Sequence, residues 1–315
     1  MKVWNLTGFA VTAALALSLG ACSTGTTGDA QSAGESGESG AGGNAAGTLT
    51  VVASTNVWGD IVSQVGGDKV TVSSIISDPD KDPHEYEADA RQQLALSTAD
   101  IVVENGGGYD DFVDTMLSAA KSKATVINAV DISGFKATQG DELNEHVWYD
   151  YPTVTKVAEA IEKALATAQP DNASTFADNL KTFTAKVDTL EKAAAEVKAS
   201  KAGTGVAITE PVPLYLLEAM GLDNKTPEAF SEAVEEETDV PATVLQDTLN
   251  LFSTHQVSAL VYNEQTAGAQ TEAVLDAAKK AGVPVVPVQE TLPTGLTYIT
   301  WQQGIIDQIS QALSH

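Results

Sequence analysis

The chain has 315 residues, of which 43 are acidic and 17 basic, giving a formal net charge of −26. Phosphate recognition needs the opposite sign, so nucleic acid is excluded as a partner. Four histidines, one cysteine and an aromatic content of 6% leave few side chains able to carry chemistry.

The first residues read as processing signal. Lys2 gives a basic start and an apolar stretch covers residues 9–19, too short for a lasting membrane helix. It ends in Leu19-Gly20-Ala21-Cys22, which resembles a bacterial lipobox whose cysteine becomes the lipidated first residue. A plain signal peptide with an incidental cysteine is the alternative. Residues 1–22 are therefore expected to be a lipoprotein signal, with Cys22 lipidated. Residues 23–47 hold Gly, Ser, Thr, Ala and a few acids. They cannot bury enough apolar surface to offset their ordering entropy and are expected to form a flexible tether.

An α/β lobe is expected over 48–172. Apolar runs at 49–54, 70–76, 101–103 and 125–127 read as parallel strands, separated by helical patterns near 57–65, 90–97 and 109–120. The same alternation over 201–315 predicts a second lobe. Its strands fall near 205–209, 257–262 and 283–288, and its helices near 212–220, 242–255, 271–281 and 300–313. Between them, Phe176, Leu180, Phe183, Val187, Leu190, Ala194 and Val197 recur at steps of four and three. That spacing predicts one long helix over 173–200. A coiled coil has the same spacing, but its place between two α/β halves favours a stiff spine packed on both. The fold expected is α/β: two parallel-sheet lobes joined by a single long spine helix.

His315 is terminal, and His255 falls near a helix end, where a cation suits the dipole. His84 sits in Asp82-Pro83-His84-Glu85-Tyr86-Glu87, and His146 in Asn144-Glu145-His146-Val147-Trp148-Tyr149-Asp150. Neither forms a local metal pair such as His-x-x-x-His, so spacing alone assigns them nothing. The run Glu235-Glu236-Glu237 reads as a solvated helix start.

In combination these segments resemble the zinc- and manganese-binding solute-binding lipoproteins of ABC importers, the cluster A-I, TroA/ZnuA-like family. The resemblance runs from the lipobox to the last helix and rests on several segments. These are Val51-Val52-Ala53-Ser54, Gly66-Gly67-Asp68-Lys69-Val70, Asp82-Pro83-His84-Glu85-Tyr86-Glu87, Asn105-Gly106 and His146-Val147-Trp148. It implies a metal site between the lobes, with His84 and His146 as ligands from the first and Glu210 and Glu290 from the second. Ala88 stands where the family commonly has Pro, Asn144-Glu145 where Asp-Pro is usual, and Glu290 where Asp is usual. It further implies a receptor, not an enzyme, working as a monomer. Its transported ligand is a divalent metal ion, Mn²⁺ or Zn²⁺, and its partners are a cognate ABC permease and ATPase. A lipid anchor would hold it to the membrane in the cell envelope, facing outside the cytoplasm.

Two imidazoles and two carboxylates, without thiolate, suit Mn²⁺ better than a three-histidine set, although Zn²⁺ binds most N/O sites more tightly. An organic-solute receptor is the alternative, disfavoured by the low aromatic content and the stiff spine. A metallohydrolase is a further one, disfavoured because four protein ligands leave no open position for water.

Overall fold

The structure, a computed structural model, describes residues 47–78, 86, 89–137 and 143–314. The expected lipoprotein signal with Cys22, nearly all of the expected tether and His84 lie outside the described residues. The first half runs β1 (Leu49–Thr55), α1 (Asn56–Gly66), β2 (Val70–Ile76), α2 (Ala90–Thr98), β3 (Ile101–Glu104), α3 (Phe112–Ala120), β4 (Thr125–Asn128), α4 (Ala129–Ser133), α5 (Tyr151–Ala168). After α6 (Ala173–Lys201) come β5 (Gly205–Ile208), α7 (Leu214–Ala219), β6 (Asp223–Asn224), α8 (Glu228–Glu235), α9 (Ala242–Ser253), β7 (Leu260–Asn263), α10 (Ala269–Ala281), β8 (Val285–Val288) and α11 (Tyr298–Ala312). Helices α4, α5 and α8 and the two-residue β6 have no counterpart among the elements expected from sequence.

All strand pairs are parallel, in two four-stranded sheets ordered β2-β1-β3-β4 and β6-β5-β7-β8. The two sheets thus repeat one topology. Period-two alternation explains how each is sandwiched. In β1 and β3, Val51, Ala53, Ile101 and Val103 face one core, while Val52 and Val102 face another with Leu96, Val113 and Leu117. In the second sheet, Val206, Ile208, Val261, Val286 and Val288 face the same large core as Val51, while Ala207, Leu260 and Tyr262 face an outer one. One continuous apolar layer therefore lies between and behind both sheets.

That layer is organised by α6, whose 29 residues span roughly 43 Å at 1.5 Å per residue. The stripe expected from sequence is its inner face: Phe176, Phe183, Val187, Leu190, Ala194 and Val197 are buried and Leu180 is partly so. It packs against α1 and α5 of the first half and α7 and α11 of the second, which is the spine arrangement rather than a coiled coil.

Helix α7 ends at the left-handed Gly221 (φ 65°), where a Cβ would press on the Lys198 stem of the spine. The turn after β3 holds Gly106, Gly107 and Gly108, all at positive φ. A Cβ on Gly106 would lie 2.3 Å from the Asn128 amide, so this close approach admits only glycine. Asp110 locks the turn, its carboxylate accepting from the backbone N–H groups of Asn105 and Gly106 at 2.7 Å each.

At the end of β3, Glu104 is buried and accepts from Asn128 Nδ2 at 2.9 Å. Burial pushes its carboxyl up to about 7, against the Asn128 hydrogen bond and with help from Asp114, Asp110 and Asp131. An acid with a raised folded-state pKa binds more protons folded than unfolded, so its ionisation opposes folding as pH rises from about 4.5 to 7. Glu104→Gln is therefore expected to stabilise the protein at pH 8 by about 1–2 kcal/mol, after allowance for solvent screening, and to be neutral near pH 4. Denaturant melts of both proteins across this range check it. A difference that does not grow with pH removes Glu104 as the cause.

Candidate metal centre

In open parallel sheets the crevice for a ligand lies beyond the carboxyl ends of the strands, where the strand order reverses. Here that place falls between β1 and β3 and between β5 and β7, and the acids expected from sequence are found there. Glu210 follows β5 by two residues, Glu290 follows β8 by two, and Asn263 is the last residue of β7. Glu210 and Glu290 are 1% and 0% exposed. Thr266 Oγ1 donates to Glu210 Oε2, and Asn263 Nδ2 donates to Glu290 Oε1 at 2.9 Å. Gln265 fixes the backbone beside them, accepting from the Glu290 N–H at 2.6 Å and donating to Thr291 Oγ1 at 3.0 Å.

His146 arrives from the first half on the chain leading into a short 3₁₀ turn (Val147–Tyr149). Its ring is fully buried, edge-on to Trp148 at 5.1 Å and to Tyr109 at 6.0 Å. Asn144 Oδ1 lies 2.8 Å from Nδ1 and also accepts the His146 backbone N–H at 3.1 Å. Asn144 Nδ2 in turn donates to the Pro211 carbonyl at 3.1 Å, so the network itself fixes the amide orientation. The imidazole proton is thereby placed on Nδ1, and Nε2 is turned to the acids: 3.5 Å from Glu290 Oε2 and 3.4 Å from Glu235 Oε1. Behind this loop, Asn105 Nδ2 holds the Glu145 carbonyl at 2.9 Å, and Trp58 Nε1 holds Asn105 Oδ1 at 3.2 Å.

The charges crowd one another. Burial raises the Glu210 carboxyl well above the usual range, and Glu290 and Glu235 add to the rise. Burial works against protonation of His146, but Glu235, Glu290 and Glu145 outweigh it and push the imidazole up to about 9. Tyr109 is raised by burial and then by the nearby charge of Glu290. No lysine or arginine is buried among the described residues. A site of this composition can hold a cation and repels an anion.

Direct contacts join the two halves around the site. Asn56 at the start of α1 makes a reciprocal pair with the backbone of Leu292, at 2.8 Å in each direction. The Tyr149 hydroxyl donates to the Gln289 carbonyl at 2.8 Å, and the Tyr215 hydroxyl to the Asn144 carbonyl at 2.7 Å. Phe135 stacks on Tyr215 with ring centroids 4.9 Å apart and planes 9° from parallel.

Of the four ligands expected from sequence, the structure brings together His146, Glu210 and Glu290, while His84 lies outside the described residues. His255 is exposed beyond the end of α9. The acidic run differs from expectation. It closes α8 rather than opening a helix, with Glu236 and Glu237 exposed and Glu235 turned inward onto His146. Nothing in a run of three glutamates separates Glu235 from its neighbours, so sequence alone had no means of selecting it. Asn144, two residues before His146, was visible only as a departure from Asp.

Residues 51–312 match the family model described as zinc-uptake complex component A, periplasmic. The chain belongs to this family. Among relatives, the manganese-binding lipoprotein MntA of Halalkalibacterium halodurans is 25% identical, over 64% of this chain and 72% of that protein. The metal ABC transporter substrate-binding lipoprotein SsaB of Streptococcus sanguinis is 32% identical, over 47% of this chain. That match spans about half of SsaB (51%). The periplasmic zinc-binding protein TroA of Treponema pallidum superposes with a TM-score of 0.72 at 20% identity, covering 85% of this chain and 99% of TroA. At that identity the likeness is one of fold, and it agrees with the two parallel sheets and the long helix.

Proposed function

We propose that this protein is an extracytoplasmic receptor that captures a divalent transition metal and hands it to the permease and ATPase of an ABC importer. The observation that carries the reading is the convergence of His146, Glu210 and Glu290 from three distant parts of the chain into one buried cluster without a buried basic residue. His84 is proposed as the fourth donor, and Cys22 as the lipidated anchor that ties the receptor to the membrane through the tether. The relatives named for manganese and for metal ABC transport favour this over an organic solute. No helix among the described residues is long and apolar enough to cross a membrane.

The carboxylates come from the second half, and His146 from the first. A cation between them bonds to both halves and stabilises the closed arrangement by its differential affinity for it. Mn²⁺ is the proposed cargo, since hard carboxylate oxygens favour it relative to a histidine-rich set, with Zn²⁺ the natural competitor. The test is titration of each metal into stripped protein. One tight equivalent is expected in the wild type and none in His146→Ala. A wild type that takes up no equivalent of either metal sinks the receptor reading.

A further inference from the structure

Glu235 is the one member of its acidic run that turns inward onto His146. It is the last residue of α8, at the negative end of the helix dipole, and the final turn carries no basic residue to offset it. Its side chain is only 12% exposed. Its charge acts on Glu210, and with Glu290 it acts on His146. The segment that presents it is held unusually: Glu237, just past the helix, adopts the left-handed conformation (φ 52°), which a residue with a Cβ seldom takes. Despite this, Glu235 Oε1 is 3.4 Å from His146 Nε2, and one ligand atom each of Glu145, His146 and Glu235 lies within 4.8 Å of the others.

A cation seated at His146 Nε2 is also within reach of Glu235 Oε1, and its charge suits the helix end that presents this residue. We infer that Glu235 is a direct ligand of the metal, a third carboxylate beside Glu210 and Glu290, and that it sets the preference for Mn²⁺ over Zn²⁺. This rests on the receptor reading above. Three carboxylates make an oxygen-rich shell with room for more than four donors, which suits a hard ion of higher coordination number and suits tetrahedral Zn²⁺ less. The excess negative charge is spread by Thr266 on Glu210 and by Asn263 on Glu290. Glu145, whose backbone carbonyl is tied to Asn105, carries its neighbour His146 into the same cluster but remains outside this assignment.

The experiment compares Mn²⁺ and Zn²⁺ titrations of the wild type with Glu235→Gln, Glu235→Asp and the exposed neighbour Glu236→Gln. X-ray absorption of the Mn²⁺-loaded wild type and Glu235→Gln counts the oxygen donors. Glu235→Gln is expected to weaken Mn²⁺ about a hundred-fold and Zn²⁺ by about ten-fold or less, with one oxygen fewer around manganese. Glu235→Asp should recover part of the loss, and Glu236→Gln should match the wild type. The metal-free Glu235→Gln protein should melt no lower than the wild type, which separates lost ligation from lost folding. An unchanged affinity ratio, or an unchanged oxygen count, overturns the inference while leaving the receptor reading intact. A wild type that binds neither metal fails the receptor reading instead.

Discussion

Glu290→Gln is expected to raise the melting temperature of the metal-free protein and to remove most of its stabilisation by metal. The two effects have one origin. Glu290 is fully buried beside Glu210, and the pair repel each other where water cannot screen them. Gln has the same shape and can still accept from Asn263, so the substitution removes charge with little loss of packing. Relief of about 1–2 kcal/mol corresponds to a gain of a few degrees in a protein of this size. With cation present the order inverts. Losing one charged ligand from a dry site costs about 3–5 kcal/mol of binding, or roughly two to four orders of magnitude in Kd. At a metal concentration a thousand times the wild-type Kd, the wild type gains about 4 kcal/mol and the variant about 1 kcal/mol or less. Thermal melts with and without Mn²⁺ and Zn²⁺ test both halves. A metal-free variant that melts well below the wild type contradicts the electrostatic account, and one that keeps the full metal shift removes Glu290 from the ligand set.

The largest effect on stability alone is expected from Phe183→Ala in the spine. Phe183 is 1% exposed and its ring centroid lies 6.3 Å from that of Tyr298 at the start of α11. Truncating a buried Phe costs about 3–5 kcal/mol through lost transfer energy and the cavity left behind. The melting temperature should fall by about 6–12 °C. Because one apolar layer runs from Val51 through the spine to Ile309, unfolding should remain a single transition in both proteins. Calorimetry would expose the alternative: if the two sheets melt in separate steps, the spine is a linker and not a shared core.

The fold was legible wherever apolar pattern and burial coincide. The stripe of α6 is one case, and the strand at 70–76 another. Helix α5 was equally legible in principle: Val154, Val157, Ala158, Ile161 and Leu165 follow the same three-and-four spacing and are all buried. Ends were less so. The helix expected from 109 begins at Phe112, because Gly106, Gly107 and Gly108 and the Asp110 carboxylate shape the preceding residues into a turn. In the site, Glu210 and Glu290 were reachable through their place after strands, and His146 through a motif. Glu235 was not reachable, since its direction depends on where α8 stops, and a left-handed glutamate decides that. Nor could sequence show that Asn144 spans from the imidazole to the Pro211 carbonyl, a contact between positions far apart in the chain.

The Asn56–Leu292 pair joins positions 236 apart, and Asp60 accepts the Tyr298 backbone N–H at the start of α11, a separation of 238. Contacts of such span form late, after the loop-closure cost of nearly the whole chain has been met. A nascent or trimmed chain that stops before α11 holds Glu290 in its sequence, yet lacks Tyr298, whose hydroxyl secures the Trp148 carbonyl two residues from His146. Partial chains should therefore have almost no hold on a cation. A cation should meet a complete site only once α11 is in place.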